Sequence, residues 1–127
     1  MKLRIKGSSL RLRLSQGEIR ELAERGEVAE HVPFAAHAGL TYRLTRDAEI
    51  QEITANYAGN IIDIRIPDGR AREWCETDLV TLAHSQPVAG GELRIVLEKD
   101  FACLAPRSDE DESDNFPHPN QGTGKTC

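Results

Sequence analysis

The residues best suited to metal chemistry stand in the last quarter of the sequence. Two thiols and an imidazole occur there, at Cys103, His118 and Cys127, and five acidic residues lie between 109 and 114. Zinc and iron readily take thiolate and imidazole ligands, and carboxylates complete many such sites. The spacing of 15 and then 9 residues matches no standard zinc motif. One interpretation of this segment is therefore a zinc or iron site formed by these three residues.

Two other interpretations of the same segment involve no metal. In the first, Phe101 and Phe116 anchor the segment to the core, and the acidic residues between 109 and 114 pair with Lys99, Arg107 or the cations near the N-terminus. In the second, the acidic residues form a solvated run without a partner. The first interpretation predicts that the acidic run lies against the basic residues of 2–13.

A compact acid–base cluster, Glu98-Lys99-Asp100, directly follows the apolar run 93–97. Enzymes often build their sites at the end of a strand, and a cleft holding these groups with shifted pKa values would favour catalysis. The alternative is an exposed, charged strand end. The motifs G-x-S-x-G, H-E-x-x-H and C-x-x-C are absent. An acid–base or metal-dependent enzyme using residues 98–114 is therefore an alternative to a binding function.

The N-terminus carries five cations and no acid between residues 2 and 13. Strict alternation on both sides of Gly7-Ser8-Ser9 predicts two strands with Leu and Ile on one face and Lys and Arg on the other. Like charges on paired strands destabilise the pairing unless an anion lies nearby. That anion is phosphate, nucleic acid or the acidic run, unless the cations simply splay into solvent. The candidate binding residues are Lys6, Arg11, Arg13, Glu98, Lys99 and Asp100.

The remaining pattern predicts an α+β fold. Ser15 and Glu18 form a capping box and Gly26 supplies a left-handed stop, which predicts a helix at about 16–25. A short helix is expected near 70–75. Short alternating segments predict further strands at 28–32, 40–44, 53–57, 61–66, 79–83 and 92–97. We expect a predominantly antiparallel curved sheet or small open barrel, and we find no internal repeat.

Length and charge limit the function. A chain of 127 residues forms one domain, which we place at 1–119 with a flexible tail at 120–127. The net charge of −5 excludes nucleic-acid binding by the whole surface but allows a local basic patch. No apolar run reaches the ~18 residues of a membrane span, and the N-terminal residues lack the apolar h-region typical of a signal peptide. An odd number of cysteines favours a reduced, cytoplasmic protein. A homodimer and a nucleic acid remain open as partners.

Two resemblances extend these predictions. The segments KGSSLRLRL (6–14), EKDFACL (98–104) and EDESDNFP (110–117) resemble a family of small uncharacterised bacterial proteins. This likeness implies a shared fold and no known activity. Residues 1–30 resemble the swapped-hairpin domain of bacterial transition-state regulators and antitoxins, although Ser15 stands where those domains often have proline. The second likeness implies a nucleic-acid-binding module. The sequence thus predicts a small binding or regulatory domain without catalytic activity.

Overall fold

The chain folds as hairpin, helix, hairpin, and then repeats that order. In the computed structural model, the residues described are 1–101, 114, 116 and 117. The predicted tail at 120–127 lies outside them. The elements are β1 (Lys2–Ile5), β2 (Ser9–Leu14), α1 (Gln16–Arg25), β3 (Glu27–Ala35), β4 (Ala38–Asp47), β5 (Thr54–Ala58), β6 (Ile61–Pro67), α2 (Asp68–Glu76), β7 (Thr81–Val88) and β8 (Gly91–Lys99).

The strands form two four-stranded sheets. Sheet A has the order β1-β2-β8-β7, and sheet B has the order β3-β4-β6-β5. Each hairpin pairs antiparallel, whereas the central pairs β2–β8 and β4–β6 are parallel. The predicted α+β class with mainly antiparallel strands is confirmed. The strands form two open sheets and no closed barrel. Among the residues described, no helix is long and apolar enough to cross a membrane.

The two halves of the chain have the same order of elements and equivalent strand pairings, so the fold contains an internal repeat. Each half contributes one hairpin to each sheet. Equivalent core positions lie 52 residues apart, as in Leu12 and Ile64, or Leu22 and Trp74, and all four side chains are fully buried. The expectation of no repeat is therefore wrong at the level of structure. The repeat is hard to see in the sequence because the equivalent buried positions carry different residues.

The predicted helix at 16–25 is confirmed together with its capping box. The Ser15 hydroxyl accepts from the Glu18 amide at 3.4 Å, and the Glu18 carboxylate accepts from the Ser15 amide at 2.9 Å. Gly26 ends the helix at φ 81°, in the left-handed region that favours glycine. Helix α2 is also confirmed, and Pro67 precedes it at the place equivalent to Ser15. Fixed at φ −55°, this proline starts the second helix without a side-chain cap.

Side chains from both sheets and both helices form one buried cluster. Trp74 lies fully buried in it, and its indole N–H donates to the Val80 carbonyl at 3.0 Å. Cys75 is half-buried, with its sulfur 3.7 Å from the Ile19 carbonyl oxygen. Burial raises the pKa of this thiol. Helices α1 and α2 thus pack together on the core shared by the two halves.

Candidate anion-binding face

The outer face of sheet A collects cations from three strands. The register places Lys2 opposite Arg13 and Arg4 opposite Arg11 across the first hairpin. The Lys6 amide continues this ladder by donating to the Ser9 carbonyl at 3.2 Å, so Lys6 falls on the same face by alternation. Strand β8 adds one more cation, because Arg94 pairs with Ser9. We call this surface the basic face, and its cations are Lys2, Arg4, Lys6, Arg11, Arg13 and Arg94.

Only part of this positive charge is neutralised by described carboxylates. One oxygen of Glu98 accepts from Arg11 at 3.1 Å and from Arg13 at 2.7 Å. At the strand end, Lys2 pairs with Asp100 at 3.0 Å. Within residues 1–101, 114, 116 and 117, no carboxylate lies within ion-pair distance of Arg4, Lys6 or Arg94. Counting described residues alone, the basic face therefore carries more positive than negative charge.

The equivalent face of sheet B is balanced instead. Asp63 accepts from Arg43 and from Arg65, each at 3.0 Å, and Asp47 accepts from Arg65 at 2.9 Å. Burial raises the pKa of Asp63, but the two guanidinium groups outweigh burial and hold it below its ordinary value. Asp63 occupies the place that Arg11 holds in sheet A, 52 residues earlier. Among the residues described, the excess of cations is thus found on sheet A and not on sheet B.

The structure does not gather Glu98, Lys99 and Asp100 into one site. Glu98 points outward to the two arginines, whereas the Lys99 ammonium donates to the Thr77 carbonyl at 2.7 Å. Asp100 faces Lys2 at the strand end. Lys99 and Asp100 are nonetheless buried, at 7% and 8% exposure. The three charged groups therefore have three different sets of partners, and strand alternation separates Lys99 from Glu98.

The predicted anchoring of the C-terminal segment is confirmed. The rings of Phe101 and Phe116 meet edge to face at 5.5 Å, and the Phe116 amide donates to the Asp100 carbonyl at 2.7 Å. The Lys99 ammonium lies 5.3 Å from the centre of the Phe116 ring, a cation–π distance. These contacts fix residue 116 at the end of sheet A.

The described member of the acidic run is Asp114, and it binds helix α1. Its carboxylate accepts from the Gly17 amide at 3.2 Å, and its backbone carbonyl accepts from the Gln16 amide at 3.0 Å. A Cβ at Gly17 would lie 2.9 Å from this carboxylate, so any larger residue there would require the Asp114 side chain to shift. An acid at a helix N-terminus also complements the helix dipole. The other four acids lie outside the described residues, so their pairing with the basic face stays a prediction.

The predicted metal ligands Cys103, His118 and Cys127 also lie outside the described residues. Within the described ones, no group of three or more His, Cys, Asp or Glu side chains is placed to hold a metal ion. The zinc or iron site stays a prediction.

Comparison with known protein families shows to which family the chain belongs. A family model described as a family of unknown function (DUF7009) matches residues 1–120. The chain belongs to this family. No curated protein matches the chain, and no solved structure does. Membership of DUF7009 agrees with the resemblance to uncharacterised proteins and supplies no activity.

Three cations of the basic face in this DUF7009 chain are missing from the predicted binding residues. Lys2 and Arg4 belong to the charged ladder that alternation identifies, but they are not among the candidates. Arg94 reaches the face only because β8 pairs in parallel with β2, more than 80 residues earlier in the chain. Alternation in 92–97 does show that Arg94 points away from the core, but it does not show which strand lies beside it.

Lys99 provides a test of burial through the pH dependence of stability. Burial lowers its pKa below the ordinary value of 10.5, an effect that the charges of Cys75 and Asp78 oppose only in part. The unfolded chain thus holds this proton more tightly than the folded one. The cost of burying the charge is present at neutral pH and disappears as pH rises through the lowered pKa toward 10.5. We expect the wild type to gain stability relative to Lys99→Met over that interval.

Urea unfolding of both proteins between about pH 7 and pH 10.5 measures this difference. Lys99→Arg is the matched control, because a guanidinium stays charged throughout and should show no such gain. Unfolding free energies of the wild type and Lys99→Met that change in parallel with pH would contradict the assignment.

Proposed function

We propose that this protein is a binding module without catalytic activity, and that it binds nucleic acid through the basic face. The observation that carries the proposal is the unmatched charge there: Arg4, Lys6 and Arg94 have no described carboxylate partner. The balanced outer face of sheet B serves as an internal comparison, since the same fold there pairs its arginines with aspartates.

The spacing of these cations suits a phosphate backbone. Alternate side chains on a strand are about 7 Å apart, and neighbouring strands are about 4.8 Å apart, so the face presents a small grid of positive groups. Guanidinium groups bind phosphate with two parallel hydrogen bonds. Such contacts fix position without reading sequence. Because the chain has a net charge of −5, nucleic acid repels the rest of its surface. Approach by the basic face is therefore favoured.

The sequence resemblance favours nucleic acid over other anions. Residues 1–30 resemble swapped-hairpin domains of regulators and antitoxins, and here each half of the chain places its two hairpins in different sheets. The basic face lies on the first of those hairpins and on the strand beside it. The resemblance and the charge thus favour the same surface.

We expect binding to labelled DNA or RNA to weaken with salt, with a log–log slope of roughly −3 to −5, because each neutralised phosphate releases counterions. The triple variant Arg4→Ala, Lys6→Ala, Arg94→Ala should reduce that slope by about 2 to 3 and the affinity at low salt at least about tenfold. Its stability should change little, since these cations have no described carboxylate partner.

Fluorescence anisotropy with single- and double-stranded probes, from about 20 to 300 mM salt, measures both quantities. The control variant Arg20→Ala, Arg25→Ala, Arg70→Ala removes the same charge from exposed helix positions. It should keep most of the affinity. Absence of binding to every probe at the lowest salt, or an equal loss in the control, would reject the proposal.

A further inference from the structure

The exposed large hydrophobic side chains of the described chain occupy two places only. Val32 and Phe34 stand on the β3–β4 hairpin, where Phe34 is 73% exposed. The others, Ile5, Tyr57 and Val88, surround a cleft between the two sheets. Scattered exposed hydrophobics are normal in soluble proteins, but contiguous ones mark an interaction surface. The described part of the chain thus presents an apolar projection and an apolar cleft.

The projection is the tip of the β3–β4 hairpin, residues 31–38, which we call the arm. Its sequence, HVPFAAHA, contains no Lys, Arg, Asp or Glu, and all eight residues are exposed. The base of the arm is well defined. His31 bonds the Thr41 hydroxyl at 3.0 Å, and a Cβ on Gly39 would lie 2.5 Å from the His31 ring. The arm is therefore an ordered hairpin end with an apolar surface.

The depression is a cleft of about 430 Å³, and none of its lining residues is charged. Structurally equivalent residues of the two halves face each other in it: Ile5 with Tyr57, and Leu10 with Ile62. A volume of this size is in the range of sites that hold a small molecule or a few side chains. The cleft is large enough to accept an aromatic ring.

The tip of the β7–β8 hairpin lies against this cleft. The β7–β8 hairpin is the structural copy of β3–β4, because Val28 and Leu82 pair with the equivalent central residues Leu44 and Leu97. This places Val88 where the other half has Phe34. Val88 lines the cleft, and so does Gln86.

Gln86 also binds the edge strand β5 beside the cleft. Its carbonyl accepts from the Ala55 amide at 2.8 Å, and its amide donates to the Ala55 carbonyl at 2.9 Å. One hairpin tip of the pair is thus docked at the cleft of its own chain. The other tip, the arm, carries a larger hydrophobe and is exposed.

We propose that the arm of one copy of this protein docks in the cleft of a second copy, with Phe34 as its main contact. Both surfaces lack charged groups, so burial of apolar area drives the association. Reciprocal exchange of two arms forms a closed twofold dimer and doubles the area buried, toward the roughly 1,200–2,000 Å² of stable interfaces. The inference is independent of nucleic-acid binding, because the basic face lies on the opposite side of β1 and β2 from Ile5 and Leu10.

Salt separates this association from the proposed function. Nucleic-acid binding should weaken as salt rises, whereas association of uncharged surfaces on a chain of net charge −5 should stay constant or strengthen. Sedimentation velocity from about 1 to 200 µM, at about 50 and 500 mM salt, should show a dimer at both salt concentrations. A monomer throughout would overturn the inference and leave the nucleic-acid proposal standing.

Two substitutions test the two surfaces separately. Phe34→Asp in the arm and Tyr57→Asp at the cleft should each weaken dimerisation at least about tenfold, because each would bury an unpaired charge. Both residues are exposed, so circular dichroism should show unchanged folding. Thr81→Asp, an exposed position of β7 outside both surfaces, is the matched control and should remain dimeric. A Phe34→Asp protein that dimerises like the wild type would overturn the inference.

A cross-link identifies the partner surface directly. Phe34→p-benzoylphenylalanine places a photoreactive group in the arm without altering the native cysteines. In a mixture of ¹⁵N-labelled and unlabelled protein, we expect cross-links between copies at Ile5, Tyr57 or Val88. Cross-links within one chain, or between copies at other surfaces, would refute docking in the cleft.

Discussion

Replacing Trp74 by alanine should lower the free energy of unfolding by about 3–5 kcal/mol. The indole is fully buried in the cluster that joins both sheets and both helices. Truncation removes its transfer free energy, leaves a cavity, and deprives the Val80 carbonyl of the indole N–H that it accepts from. A domain of this size is stable by only about 5–15 kcal/mol, so this one change removes a large share.

Urea unfolding followed by far-ultraviolet circular dichroism measures this loss without depending on tryptophan fluorescence. Trp74→Phe should cost much less, because it keeps an aromatic ring while losing the indole N–H. Arg72→Ala is the control on the same helix; its side chain is 67% exposed and it should change stability by less than about 0.5 kcal/mol. A loss below about 1 kcal/mol in Trp74→Ala would contradict the position of α2 in the core.

Local features of the fold could be predicted from the sequence because local physics determines them. Ser15, Glu18 and Gly26 supply the start and the stop of α1 within about a dozen residues. Alternation likewise identifies the first hairpin and its charged face. The arrangement of the hairpins was not predictable this way, because the parallel pairs β2–β8 and β4–β6 join distant segments. Each of these two parallel pairs joins a hairpin of the first half to a hairpin of the second half, which gives the two sheets.

The candidate site also has some features that the sequence predicts and others that it does not. Phe101 and Phe116 are correctly identified as anchors because two aromatic residues around a polar segment have few other roles. The cluster Glu98-Lys99-Asp100 suggests one acid–base group because its residues are adjacent. Adjacency in a strand instead sends neighbouring side chains to opposite faces. If the strand is extended through residue 99, its alternation predicts from the sequence alone that Glu98 and Lys99 point to opposite faces.

Glu98 is the residue whose change best separates the two classes of function. If it belonged to an acid–base site, Glu98→Gln would abolish activity. On the basic face, its carboxylate instead holds Arg11 and Arg13, at 3.1 and 2.7 Å. Removing the negative charge makes both guanidinium groups available to phosphate. We therefore expect Glu98→Gln to bind nucleic acid about tenfold more tightly at low salt, with a slope steeper by about 1 to 2.

The same change should cost some stability. Arg11 faces Arg4, and Arg13 faces Lys2, so loss of the carboxylate leaves like charges opposed across the hairpin. Because these side chains are partly exposed, we expect a loss of about 1 kcal/mol or less. Bound nucleic acid should restore it, since phosphate takes the place of the carboxylate. Thermal unfolding with and without an oligonucleotide measures both effects.

The control for Glu98→Gln is Glu24→Gln, which makes the same change in net charge at an exposed position of α1. If net charge alone governed binding, both variants would gain equally. If the basic face governs it, Glu98→Gln gains affinity and slope while Glu24→Gln stays close to the wild type. Weaker binding by Glu98→Gln would show that this carboxylate helps the site instead of competing with the ligand for Arg11 and Arg13. That result would reject the role of Glu98 as the internal counter-ion of the basic face.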